Sequence, residues 1–344
     1  MPSRFLAGLL AVIASVMLTS SMPARAQTPP PLIPLDVRLG DVSLTKLIFL
    51  VAYDQGIYAK NGLAVQQFIT PRAAEVVRRS GVIVPPQFIR AGTGDDVPIT
   101  IEGGSPRMVD MTTSALAADR VIVATTDNTA RFHIVSRMDI TSPEQLKGKR
   151  LGYTELGAIT QLMAIAFVQK MGWDPERDIS LMSDGTAYDV LAAGREDAFV
   201  ADEITQAMAA KLGYRDLVDL STYHIPLAGS GINVSRAWLR DHRDVTARFV
   251  KATIDALALV KTNKAVAVAS LAKWYNITDP DQQERIYRQI ADLPKKPYPA
   301  VDGIKEVMSI YRYREMQIHP PEYYYDDSFV RELDRSGYID GLYK

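Results

Sequence analysis

Cysteine is absent from the 344-residue chain. That removes disulfide scaffolds, cysteine zinc sites, iron–sulfur clusters and thiol catalysis together. Neither sign of charge dominates, with 39 basic against 40 acidic side chains. A strongly basic nucleic-acid binder and an acidic disordered tail are both excluded. Aromatics stand at 8%, and glycine and proline are at ordinary levels, so low-complexity and collagen-like repeats are excluded too. What is left is a chain long enough to bury a large core and to divide into two lobes.

The one long apolar run lies at the N-terminus. Arg4 supplies a short basic region before Phe5–Thr19, an apolar stretch of about fifteen residues. Ser20, Ser21, Met22 and Pro23 break it, and Ala24-Arg25-Ala26 has the small-x-small form of a cleavage site before Gln27. A bilayer span takes about twenty residues, so the run reads as a signal peptide covering residues 1–26 and the protein as exported. No cysteine follows it to carry a lipid, which points to a soluble product. Removal takes Arg4, Arg25 and no acid, leaving a slight acidic excess. Residues 27–34 (QTPPPLIP) form a proline-rich lead-in.

Beyond it, short apolar runs alternate with helical ones. Strands are expected at 35–39, 63–69, 88–91, 109–112, 120–124 and 132–136. A helix is expected over 44–60, where Leu44, Leu47, Ile48, Val51 and Ala52 fall at spacings of three and four, and another from Asp95. Thr141-Ser142-Pro143-Glu144 has the grammar of a helix start. A second series follows: strands 150–153, 179–182 and 198–201, with helices at 158–171, 188–194 and 204–212. From Ser235 onward the pattern is helical. Two strand–helix series before a helical tail indicate the α/β class with two similar lobes, and no short-period repeat suggests a solenoid.

Catalytic signatures are sparse. His133, His224, His242 and His319 are scattered without metal-binding spacing. No nucleophile elbow, P-loop or dinucleotide fingerprint occurs, and Gly92-Thr93-Gly94 runs into two aspartates that repel phosphate. No cofactor and no metal are expected.

Four ordered motifs carry a resemblance. Ala52-Tyr53-Asp54-Gln55-Gly56-Ile57-Tyr58 followed by Asn61-Gly62-Leu63-Ala64-Val65 resembles the opening of type II periplasmic solute-binding proteins, in the branch handling nitrate, sulfonates, taurine and thiamine precursors. Residues 140–152 (ITSPEQLKGKRLG) resemble that family's opening of the second lobe. Residues 190–198 (VLAAGREDA) and 328–343 (SFVRELDRSGYIDGLY) resemble two further family segments. Residues 76–86 depart from the pattern as a longer connection, and Gly103-Gly104-Ser105-Pro106 replaces a simpler helix end. Gly62, Gly148 and Gly194 read as stops between helix or turn and strand.

The resemblance implies a two-lobed type II fold with a hinge and an inter-lobe cleft. Lobe one would hold 35–134 and 233–344, and lobe two 135–232, with hinge strands near 132–136 and 229–234. Ligand would then sit at loops after the carboxyl ends of strands. In lobe two those loops offer Thr154, Glu155 and Thr160, then Asp184, then Asp202 and Glu203. In lobe one they offer Asp41 and Ser43, then Thr93, then Thr112 and Thr113. A helix N-terminus there favours an anion by about 0.3–1 kcal/mol, although Thr154 and Asp184 also read as simple caps. Tyr53 and Tyr323–Tyr325 are candidates to wall a cleft, or simply surface tyrosines.

Ligand charge stays open. A sulfonate or nitrate calls for donors, yet the same loops carry Asp41, Asp95, Glu155, Asp184, Asp202 and Glu203. An acid buried against an anion costs several kcal/mol. Either those acids face solvent as caps, or the ligand brings N–H donors, as a pyrimidine or an aminosulfonate does. The function this implies is a periplasmic, monomeric, non-enzymatic substrate-binding component of an ABC importer. It would capture a sulfonate- or taurine-like anion or a pyrimidine-like compound by lobe closure, with an inner-membrane permease as partner and no nucleic acid. The alternatives are a secreted enzyme on the same scaffold, or a binding protein feeding a membrane sensor.

Overall fold

A computed structural model describes residues 31–344 except 80, 81, 83, 93–96, 116, 118 and 184–187. Leu32–Lys344 is one compact unit. The first sheet takes β1 (Ile33–Leu39), β2 (Leu63–Phe68), β3 (Ile99–Gly103), β4 (Arg120–Thr125) and, much later in the chain, β10 (Ser230–Ser235). The second takes β5 (Phe132–Ser136), β6 (Arg150–Gly152), β7 (Ser180–Met182), β8 (Ala198–Asp202) and β9 (Arg215–Asp219). Their orders are β2-β1-β3-β10-β4 and β7-β6-β8-β5-β9.

The two orders are one topology used twice. β1, β2 and β3 run parallel, as do β6, β7 and β8. The antiparallel strand of each sheet is the one reached by crossing from the other: β5 against β8 and β9, and β10 against β3 and β4. Phe132, at the start of β5, pairs with Asp202 at the carboxyl end of β8; Ser230 likewise pairs with Gly103 at the carboxyl end of β3. Both crossings, 126–131 and 224–229, therefore enter at carboxyl ends. The loops after the parallel strands of both sheets must gather around them.

Helices cover the sheets as strand–helix alternation requires. In the first lobe these are α1 (Leu47–Asp54), α2 (Ile57–Lys60), α3 (Pro71–Arg79) and α4 (Gly104–Thr113); in the second, α5 (Ile159–Lys170), α6 (Tyr188–Ala192) and α7 (Glu203–Lys211). The tail is α8 (Arg236–Leu239), α9 (Arg243–Thr262), α10 (Lys264–Tyr275), α11 (Pro280–Ala291), α12 (Val301–Tyr311), α13 (Arg314–Gln317), α14 (Ser328–Arg335) and α15 (Tyr338–Gly341). β1 and β3 bury Val37, Ile99 and Ile101 against Phe49 of α1 and Phe249 of α9. Each such side chain contributes about 1.5–3 kcal/mol on burial. Although α12 follows β10, its Ile304 and Val307 join the core around Leu151, Leu162 and Phe167 of the second sheet and α5.

Several local expectations are corrected. The helix expected over 44–60 divides into a 3-10 turn at Leu44–Lys46, α1 and α2, because Gly56 takes φ 62 between them. Residues 109–112, expected as a strand, lie inside α4: Pro106 in the first turn opens a helix, and the hydroxyls of Thr112 and Thr113 satisfy themselves on its carbonyls. At 88–91 there is a 3-10 turn (Pro86–Phe88) and one isolated bridge, Ile69 to Ile89. The strand in that region is β3 instead, a fully buried run that a reading of 95 onward as helix misses. The helix start at Ser142 is a single 3-10 turn, held by a capping box between Ser142 and Gln145. The signal peptide, Thr93, Asp95 and Asp184 lie outside the described residues.

Candidate functional site

The loop after β1 folds on itself. Asp41 Oδ1 accepts the Ser43 backbone N–H at 2.7 Å, and the Ser43 and Thr45 hydroxyls hydrogen-bond each other at 2.9 Å. Tyr275 donates its hydroxyl to the Ser43 carbonyl at 2.9 Å. Lys46 is buried at 3% exposure, so its ammonium requires partners. It finds Ser230 Oγ at 2.8 Å, Thr45 Oγ1 at 3.1 Å and the Asp41 carboxylate at 3.4 Å. Ser230 opens β10, so this network joins the first loop of the lobe to the returning chain. Burial pushes the Asp41 carboxyl upward, but Lys46 and the Ser43 N–H hold it below the usual range.

Across the crossing lies a second charged group. Asp127, 2% exposed, pairs with Arg131 four residues on and accepts the Thr129 N–H at 3.0 Å. Arg131 Nε stands 3.9 Å from Glu203 Oε2, at the start of α7. The Nη1 of Arg131 is buried and makes no hydrogen bond. Asp202 caps α7 through the Thr205 N–H at 2.8 Å. Burial raises the Asp127 and Asp202 carboxyls, which Arg131 and Thr205 respectively only partly offset. Glu203 is pushed up to about 7, by burial against the pull of Arg131 and with Asp202 and Asp127 adding to it. Asp202 and Asp41, on opposite lobes, repel each other.

A partly open cavity lies between these groups, lined by Thr45, Asp127, Arg131 and Glu203 on its polar side. Leu44, Ile48, Val260 and Ile290 are among the apolar residues opposite. Its mixture of an apolar wall with a few convergent polar groups is the kind of lining that small organic molecules take. Two carboxylates and a guanidinium, none of them more than 18% exposed, give it acceptors and a donor in excess of its internal pairing.

The expected site residues divide among several places. Ser43 and Asp202 flank this cavity from the two lobes. Thr154 and Thr160 bond each other, Oγ1 to Oγ1 at 2.7 Å, with the Thr154 N–H also on Thr160 Oγ1 at 3.0 Å. Glu155 is exposed and pairs with Arg72 of α3 at 3.5 Å, spanning the two lobes. Beside it, Ser105 Oγ donates to the Gly157 carbonyl, the Gly157 N–H to Gln161 Oε1, and Tyr311 OH to the same oxygen. Thr112 lines a separate surface groove with Asp119, His319 and Tyr323. Thr113 sits nearby at the end of α4. Tyr53 packs edge-on against Phe88, which meets Trp274 in the same way, and Tyr324 is buried with its hydroxyl on the Met316 carbonyl.

The sequence reading missed Lys46, Asp127, Arg131 and Ser230. A signal for the second and third existed: an acid and a base four residues apart in the short polar break between the apolar runs 120–124 and 132–135. Of the histidines, His133 pairs with Asp216 at 3.1 Å, His242 stacks on Trp238 and His319 on Tyr323. Among the described residues no three His, Asp or Glu side chains converge to hold a metal ion, and no helix is long and apolar enough to cross a membrane.

The NMT1/THI5-like family model matches residues 106–265. No curated protein matches the chain by sequence. Among solved structures, the periplasmic nitrate-binding protein NrtA from Synechocystis PCC 6803 superimposes with a TM-score of 0.67 at 12% identity, covering 91% of this chain and 91% of its own. The alkanesulfonate-binding protein SsuA from Xanthomonas axonopodis pv. citri, bound to MOPS, gives 0.62 at 15% identity, covering 86% of this chain and 97% of its own. The desulfurization enzyme DSZB gives 0.54 at 16% identity, covering 88% and 99%. The fold is that of the type II periplasmic binding proteins. The family match and the nitrate- and alkanesulfonate-binding neighbours agree with the resemblance carried by the sequence motifs.

Proposed function

We propose that this chain is the periplasmic substrate-binding component of an ABC importer, exported by cleavage after Ala26. It captures a small organic solute that carries N–H donors as well as acceptors, in the manner of a pyrimidine or an aminosulfonate. The observation behind this reading is the cavity at the hinge, where loops after β1 and β8 meet the 126–131 crossing. A bare anion fits that cavity poorly, because Asp127 and Glu203 line it beside a single guanidinium. Ser43 and Asp202 are taken as flanking contacts, and the two lobes as the two sheets with their helices, crossing at 126–131 and 224–229. Because contacts come from both lobes, a bound solute shifts the population toward the closed form.

A thermal-shift screen of the mature chain tests this, with taurine, methanesulfonate, nitrate and cytosine as probes. A bound solute at a hundred times its dissociation constant stabilises by about 2.7 kcal/mol. Stabilisation by taurine or cytosine, with neither consumed on prolonged incubation, supports the reading. Turnover of the bound solute would replace it with the enzyme reading, and no shift with any probe would remove the solute assignment.

A further inference from the structure

We infer that Arg131 is the residue that selects the solute, its Nη1 giving a hydrogen bond to an acceptor of the ligand while Glu203 takes a neighbouring N–H of the same molecule. The inference rests on the binding function proposed above and names the pair that sets its specificity.

Arg131 is held as a fork. The carboxylate of Asp127, buried in the crossing itself, takes Nη2 and fixes the plane of the guanidinium. Asp127 is fixed in turn by the Thr129 N–H. Nε faces Glu203 Oε2 at 3.9 Å, too long for a hydrogen bond, so Glu203 retains acceptor capacity. Nη1 is buried with nothing to receive its protons. An unmade hydrogen bond on a buried charged donor costs more than one on a neutral group, so a native structure keeps one where something else completes it. Arg131 and Glu203 both line the cavity at the hinge. Together they present a donor and an acceptor side by side, which matches a solute edge carrying an acceptor next to an N–H, or an ammonium and an acidic oxygen in one small molecule. A simple anion satisfies Arg131 and is repelled by Glu203 and Asp127. A simple amine does the reverse.

The geometry also separates Arg131 from a mere charge. Lysine supplies one ammonium and cannot hold Asp127 and a ligand through two fixed arms. The test is calorimetric titration of the mature full chain and its R131K, D127N/R131M and E203Q variants with cytosine, taurine and methanesulfonate at pH 8. The double variant removes both halves of the buried Asp127–Arg131 pair, so neither of the two is left as a lone charge. Wild type is expected to bind cytosine or taurine and to bind methanesulfonate at least tenfold more weakly. R131K and D127N/R131M are expected to lose about tenfold to a hundredfold in affinity for the preferred probe. E203Q is expected to narrow the margin over methanesulfonate by at least tenfold. R131K or D127N/R131M binding the preferred probe as wild type does would overturn the inference and leave the binding function standing. A wild-type chain that binds none of the three overturns the function on which it rests.

Discussion

Ser105 Oγ donates a 2.8 Å hydrogen bond to the carbonyl of Gly157, tying the first turn of α4 in one lobe to the loop that follows β6 in the other. Gly157 sits at φ 78, and a Cβ there would stand 2.9 Å from Val109 Cβ. The contact is thus made by a residue that only glycine supplies cheaply. Gly157→Ala is expected to destabilise by about 2 kcal/mol, from the left-handed backbone together with the clash. Ser105→Ala, which removes this bond and a longer one to the Tyr311 hydroxyl and leaves the packing, is expected to cost about 1–2 kcal/mol. Urea midpoints of the two variants check both values, and equal stability of Gly157→Ala and wild type would refute the close packing of these loops.

The same turn of α4 is anchored from below. Glu102 at the end of β3 accepts from Arg107 Nη2 at 2.8 Å and Nε at 3.0 Å, from Arg38 at 3.1 Å and from Thr100 Oγ1 at 2.6 Å. Burial alone would raise this carboxyl, but the two guanidinium groups and Thr100 hold it below its usual value. A carboxyl depressed in the folded state contributes stability that is present above its unfolded pKa and lost as pH falls through the folded one. Glu102→Gln is expected to cost about 3 kcal/mol at pH 7, since it strands buried cationic charge. Its deficit relative to wild type should shrink below pH 4. Denaturation curves at pH 7 and pH 3.5 measure the difference, and a deficit that persists undiminished at pH 3.5 would contradict this role for the charge.

How much of this was legible depended on whether the physics was local. Ala52 through Tyr58 could be read because each feature acts within a turn or two: Ala52, Ile57 and Tyr58 are buried, and Gly56 makes the left-handed break between α1 and α2. The alternation of strands and helices in the second lobe was equally readable, apart from β9, whose Arg215-Asp216-Leu217-Val218-Asp219 is too polar to stand out. β3 and α4 were misread because a fully buried strand has no alternation, and Val109, Thr112 and Thr113 have strand propensity that tertiary packing overrides. The hinge cavity was invisible for another reason. Lys46 and Ser230 are 184 residues apart, and Asp127 and Glu203 meet only because both crossings enter at carboxyl ends.

One motif residue has an explanation that its local setting did not suggest. Asp54, the aspartate in Ala52-Tyr53-Asp54, accepts from Trp274 Nε1 at 2.8 Å and from Lys273 Nζ at 2.6 Å on α10. It therefore fastens the end of α1 to the helical tail. Asp54→Ala leaves the indole N–H of the buried Trp274 without its acceptor and is expected to cost about 1–3 kcal/mol. Tryptophan emission and the urea midpoint should change together, whereas a change in neither would show that the tie carries no stability.

Glu203 gives the opposite pH signature from Glu102. Its carboxyl is pushed up to about 7 from an ordinary 4.5, chiefly by burial, with Arg131 opposing and Asp202 and Asp127 reinforcing. The folded state therefore holds a proton that the unfolded chain has already released between those two values. Protons bound in excess by the folded state make stability fall as pH rises, so this group costs stability between about pH 4.5 and pH 7. Above pH 7 the cost levels off at on the order of 3 kcal/mol, because each pKa unit is worth about 1.4 kcal/mol. Glu203→Gln removes the titration and keeps the shape. It should match wild type near pH 4.5 and exceed it at pH 8, with its stability advantage growing through the interval between. A bound solute that offers Glu203 an N–H favours the ionised form, so the wild-type decline should level off at a lower pH and be smaller. Denaturation of wild type and Glu203→Gln at four pH values, with and without the solute found in the screen, measures both effects. Parallel curves for the two proteins across that range would show that Glu203 titrates as an ordinary surface acid.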